Sequence, residues 1–171
     1  MRPAVKPRGI TLLELLVVIA IMGILATAAI PLSRMTLQRA REIELRNNLR
    51  LLRTAIDAFH RDCLPPNTPG SSSGRLSSDY CKSDQYYYPE SLEQLTEPLK
   101  LSGTGDQTRK YLRRIPRDPL TPLDSPNQPN NWGLRSYSDA PDSISWGGEN
   151  VFDVYSKSDA IALDGSKYNT W

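Results

Sequence analysis

The pattern of apolar and polar positions divides the 171-residue chain into three stretches. From Ile10 to Leu32 the residues are almost all apolar, and the only charge is Glu14. As a helix rising 1.5 Å per residue this run is roughly 34 Å long, enough to cross a bilayer. From Leu32 onward the pattern becomes periodic. Leu45, Leu49, Leu52, Ile56 and Phe59 recur at spacings of three and four, and Cys63 is next in the stripe. Arg41, Arg46, Arg50, Arg53 and Asp57 fall between them, which is the signature of an amphipathic helix. Leu64-Pro65-Pro66 ends it, because proline cannot continue a helix. The pattern therefore predicts one helix from Ile10 to about Asp62, roughly 50 residues long.

The rest of the chain is rich in loops, and the 14 prolines of the whole sequence lie mostly here. YYYPESLEQL (86–95) predicts an entry segment and a short helix, and KYLRRIPRDP (110–119) an extended stretch held by Pro116 and Pro119. TPLDSPNQPNNWG (121–133) is a turn region. Short strands are expected at Leu134–Tyr137 and Ser143–Trp146. Val151–Tyr155 alternates most clearly. Consecutive short strands favour an antiparallel sheet, whose apolar face would pack on the helix stripe. The fold class expected is α+β, a long N-terminal helix on a small antiparallel sheet. The expected boundaries are 1–9 for a leader, 10–32 for a transmembrane helix segment, 33–62 for its amphipathic continuation and 63–171 for a loop-rich α+β domain.

Charge adds a direction. Arg2, Lys6 and Arg8 precede the apolar run with no acid among them, so the N-terminus is expected to stay cytoplasmic and the C-terminal bulk to face outward. The net charge of +2 creates no global field for nucleic acid. Along the helix, seven arginines (34, 39, 41, 46, 50, 53 and 61) against four acids (42, 44, 57 and 62) read as a solvated face with ion pairs between subunits. The single histidine, His60, reads as a surface residue. A cleaved signal peptide with its site at Ala26-Thr27-Ala28 and a plain single-pass anchor are both compatible with the run. Neither explains Glu14, a carboxylate costing about 2.5 to 3.5 kcal/mol in hydrocarbon.

GITLLELLVVIAIMGILATAAIP (9–31) resembles the N-terminal signal of type IV pilins and type II secretion pseudopilins. The resemblance implies cleavage by a prepilin peptidase after Gly9, N-methylation of the new first residue, Ile10, and pairing of Glu14 with the terminal amine of a neighbouring subunit. It also implies a helix loosened at Pro31. YPESLEQL, YLRRIPRDP and FDVYSKSD with the final NTW resemble, in order, blocks of the major, G-type pseudopilin. In that family a C-terminal loop often holds calcium. The matching stretch here, 156–165, offers Asp159 and Asp164 as candidate ligands, and an ordinary turn is the other reading. No cofactor is otherwise required.

Cys63 and Cys81 are a candidate disulfide pair in an oxidising compartment and two unrelated thiols elsewhere. No spacing of nucleophile, base or metal ligands suggests a catalytic site, so no enzyme is expected. The expected role is a structural subunit in the inner membrane with its C-terminal domain in the periplasm. It would polymerise with its own copies and other pilin-like subunits through an inner-membrane platform and its ATPase. A type IV pilin or minor pilin for adhesion, motility or DNA uptake is the first alternative. A membrane-anchored periplasmic binding domain that never polymerises is the second.

Overall fold

Thr11 sets the start of the long helix. Its Oγ1 accepts the backbone N–H of Glu14 at 3.2 Å, and its carbonyl accepts that of Leu15 at 3.1 Å. Thr-x-x-Glu is a capping-box pattern, so the helix begins at Leu12, two residues after the expected Ile10. Helix α1 is Leu12–Cys63, 52 residues. The structure is a computed structural model describing residues 9–71, 76–103, 105–121 and 131–171, with the backbone alone for helix residues 28–34. Expectations for the leader residues 1–8, for parts of the loop 67–78 and of the turn region 121–133, and for the Pro31 side chain lie outside the described residues. The backbone is helical through position 31. Among the described residues no helix is long and apolar enough to cross a membrane.

Two units divide the chain, Met1–Ala40 and Arg41–Trp171. In the second, the α1 stripe Leu45, Leu49, Leu52, Ile56, Phe59 and Cys63 is buried, as the three- and four-residue spacing requires. It packs against Leu92, Leu95, Leu99, Trp132, Val151 and Val154 in one core.

The expected single sheet is two small ones. Strands β1 (Leu99–Lys100) and β2 (Thr108–Arg109) pair antiparallel with Leu99 opposite Arg109. Strands β3 (Trp132–Arg135) and β4 (Asp153–Ser156) pair antiparallel with Gly133 opposite Tyr155. Ser143–Trp146 is no strand. Hydrogen bonds fold it into a loop, with Ser143 N–H bonded to the Ala140 carbonyl at 2.9 Å and the Trp146 indole to the Asn150 carbonyl at 2.8 Å. The expected short helix near Leu95 is a single 3-10 turn, Glu93–Thr96. Cys63 and Cys81 are joined by a disulfide, Cα to Cα 5.1 Å, at the end of α1.

Gly133 is glycine for a packing reason. A Cβ there would lie inside the ring of Tyr155 across the strand pair. That ring is held by the Arg135 guanidinium, 4.1 Å from its centroid, and by its own hydroxyl, which donates to the Ile144 carbonyl at 2.9 Å.

Candidate assembly site

At the start of α1 the apolar side chains are exposed among the described residues. Leu15, Leu16, Val17 and Val18 are consecutive, so at about 100° per residue they point to four sides of the helix. All four are exposed, between 45% and 62%. Ile10, Leu12 and Leu13 are more exposed still. A helix apolar all round is stable only inside a membrane or among other helices.

Glu14 is the third helical residue, exposed on that segment. An acid near a helix N-terminus gains about 0.3 to 1 kcal/mol from the backbone dipole. That is less than the cost of placing it in hydrocarbon, about 2.5 to 3.5 kcal/mol. Its place in the capping pattern therefore does not by itself account for a carboxylate in this segment. The signal for the cap, TLLE (11–14), was present in the sequence and overlaps the glutamate that the family resemblance had already claimed. Gly9 has open space where a Cβ would go, and its backbone is not left-handed. Nothing in the fold requires glycine there, and a requirement imposed by a processing enzyme is compatible with that freedom.

In the Arg41–Trp171 unit, α1 grips the C-terminal loop with polar side chains. Buried Glu42 accepts the Leu163 N–H and the Tyr168 hydroxyl, both at 2.8 Å, on Oε1. Arg53 donates through Nε to Asp153 Oδ1 at 2.7 Å, and through its terminal nitrogen to the carbonyls of Val154 and Trp171. Arg46 reaches Asp164 at 3.4 Å and lies 4.2 Å over the Trp171 ring. These arginines pair within the chain, where ion pairs between subunits were expected. Their partners come from over 100 residues away or close to it, so no local pattern announced them.

Asp159 precedes the Ile161–Lys167 bridge in the chain, and Asp164 lies in the turn that the bridge closes. Asp164 Oδ1 accepts both the N–H and the hydroxyl of Ser166, and these bonds, with the nearby Arg46 charge, hold its carboxyl below the usual range. Asp159 is exposed. No group of three or more His, Cys, Asp or Glu side chains is gathered for a metal among the described residues. Calcium takes about six to eight oxygens. Glu42 fastens this loop to α1.

His60 is half-buried and not the surface residue expected. Its ring stacks on Tyr88 with centroids 4.1 Å apart. Burial pushes its pKa below 6.5, against the opposing pull of the Tyr87 backbone and the Asp57 charge.

Residues 6–30 match the prokaryotic N-terminal methylation motif, which places the match over Gly9, Ile10 and Glu14. The chain is 29% identical over 124 residues to the type II secretion system core protein G of Escherichia coli strain K12, covering 70% of each chain. To the protein of the same name in Klebsiella michiganensis it is 28% identical over 113 residues, covering 66% of this chain and 67% of that one. The chain is similar to type II secretion pseudopilins, and to the G-type subunit over about two thirds of its length. No solved structure matches the chain. The two units, a helix start with exposed apolar sides and an α+β unit with its own core, are consistent with a pilin-like fold.

Proposed function

We propose that the chain is cut after Gly9 by a prepilin peptidase, methylated at Ile10 and polymerised into a periplasmic pseudopilus that drives protein export. The observation that carries this reading is the helix start: a methylation motif on a segment whose apolar side chains are exposed on every side. Before assembly the segment lies in the inner membrane, held there by its apolar run with Arg2, Lys6 and Arg8 on the cytoplasmic side. On assembly it exchanges lipid for the helices of other subunits.

Each step has a physical part for this chain. Cleavage converts the peptide nitrogen of Ile10 into an ammonium, two residues before the first helical residue. Glu14 then has a cation of matching depth on a neighbouring subunit. Two ions paired in a low-dielectric core are far less costly than either alone, and a misaligned neighbour leaves both unpaired. The pair therefore selects register, while apolar contact supplies affinity. The Arg41–Trp171 unit forms the outer shell. Its role is structural, and the growth step belongs to an inner-membrane platform protein and its cytoplasmic ATPase.

Mass spectrometry of the membrane-extracted protein tests the processing. The expected chain begins at N-methylated Ile10. A start at Met1 or near Ala29 would overturn the reading. Glu14→Ala is expected to leave cleavage intact and to abolish incorporation into sheared filaments.

A further inference from the structure

A groove of about 1130 Å³ runs between α1 and the segment 109–117. Its rim carries Arg50, Arg109, Lys110, Arg113, Arg114 and Arg117, with Glu44 as the only acid lining it among the described residues. Arg109 is engaged by buried Asp62 at 2.8 Å. Among the described residues no ion pair uses Arg50, Lys110, Arg113 or Arg114. Apolar groups line the same groove: Leu51, nearly half exposed, with Ala55, Ala58, Ile115 and Pro116.

The same chain carries a surface of the opposite character. The loop 137–149 (YSDAPDSISWGGE) contains Asp139, Asp142 and Glu149 and no cation. Ile144 projects from it, 78% exposed, with Trp146 and Tyr137 beside it in sequence and also exposed. The loop is fixed from within. Asp139 accepts the N–H of Ser136 at 2.7 Å and of Gly147 at 3.1 Å. Arg135 Nε holds the Ser143 carbonyl at 2.9 Å, and Tyr155 holds that of Ile144. An apolar knob with acidic flanks is thus presented without an ordering cost on binding.

Knob and groove belong to different places on the unit. No residue of the loop lines the groove. Tyr137 stacks with Tyr88, which stacks on His60, so the loop stands near the C-terminal end of α1, while the groove follows Glu44 to Ala58. From the middle of the groove to His60 is roughly 14 Å along the helix axis. A contact between two different patches on identical chains is heterologous and propagates head to tail.

We propose that the basic groove of one subunit receives the acidic loop 137–149 of the next, with Ile144 on the apolar lining and Asp142 and Glu149 against Arg113 and Arg114. This deepens the filament reading and rests on it. It commits the groove to a second copy of this chain, because the copy supplies charge, apolar knob and rigidity together.

The test uses the full chain in the membrane of producing cells, read as sheared filaments and as a cross-linked subunit ladder. Arg113→Glu with Arg114→Glu is expected to lower filament yield by about tenfold or more, since like charges then face each other. Adding Asp142→Arg and Glu149→Arg to the same chain is expected to restore it. These side chains are exposed, so normal N-terminal processing and an unchanged melting temperature should accompany every variant. Ile144→Asp provides a second probe and is expected to lower the yield without any change at the groove. Unchanged filaments in the first variant, or no restoration by the swap, would overturn the contact. So would normal filaments with lost export, which would give the groove to another protein. An absence of ladder in the unaltered chain would instead remove the filament reading itself.

Discussion

Asp118 shows what one side chain contributes. It is 1% exposed, and both carboxylate oxygens are used: Oδ2 accepts the Ser156 hydroxyl at 2.6 Å and Oδ1 the Leu120 N–H at 2.9 Å. Asp118→Ala leaves two donors without partners and is expected to cost about 2 kcal/mol in urea unfolding, with Asp118→Asn costing less. His60 gives stability a pH dependence. Because burial lowers its pKa in the folded state, the unfolded chain binds more protons below about 6.5. Its contribution is complete above that value and is lost as pH falls through the folded pKa. His60→Gln should flatten the melting temperature across this range, and an unchanged slope would assign the dependence elsewhere. At this scale the sequence was legible where a motif is written locally. Gly9, Ile10 and Glu14 lie within six positions. Glu42 and Asp118 were not legible, because their partners lie 121 and 38 residues away.

Among the elements, α1 was readable because a periodic apolar stripe over many turns has only one solution. The strands were less so. β1 and β2 are two residues each, too short for alternation to register. Ser143–Trp146 has a strand-like composition but is held as a loop by Asp139, Arg135 and Tyr155. The β3–β4 pair depends on Gly133. Gly133→Ala drives a methyl into the Tyr155 ring, whose other contacts resist movement. Overpacking of this kind costs about 1 to 3 kcal/mol, and denaturant unfolding should show a loss in that range. The disulfide closes a loop with a sequence separation of 18. Cys63→Ser with Cys81→Ser should cost about 3 kcal/mol through regained chain entropy in the unfolded state. A variant pair as stable as the parent would mean that the unfolded chain is already restrained there.

For the whole molecule, the buried core and the long exposed apolar run reside in different units. Every residue of the buried core lies at or beyond Leu45, and the uncovered apolar residues crowd before Ala40. A chain beginning at Arg41 should therefore stay soluble and unfold cooperatively, whereas the full chain should need detergent. Calorimetry of the fragment checks this, and a broad transition would show that the N-terminal unit contributes to folding. The fold class was legible at this scale, since a long apolar-then-amphipathic helix leaves few ways to cover its stripe. The calcium expectation came with the family resemblance, and the hold of Glu42 on the C-terminal loop had no local signal in the sequence.

The placing of the disulfide has a consequence for load. It sits on the last residue of α1, and the Arg53 fork grips the same rod three turns earlier. Axial tension on the rod meets a covalent stop at its tip and an ionic catch partway along. Tension on this part of α1 is therefore shared between a covalent tie and an ionic one, both within the Arg41–Trp171 unit, and neither can yield without the other bearing the load.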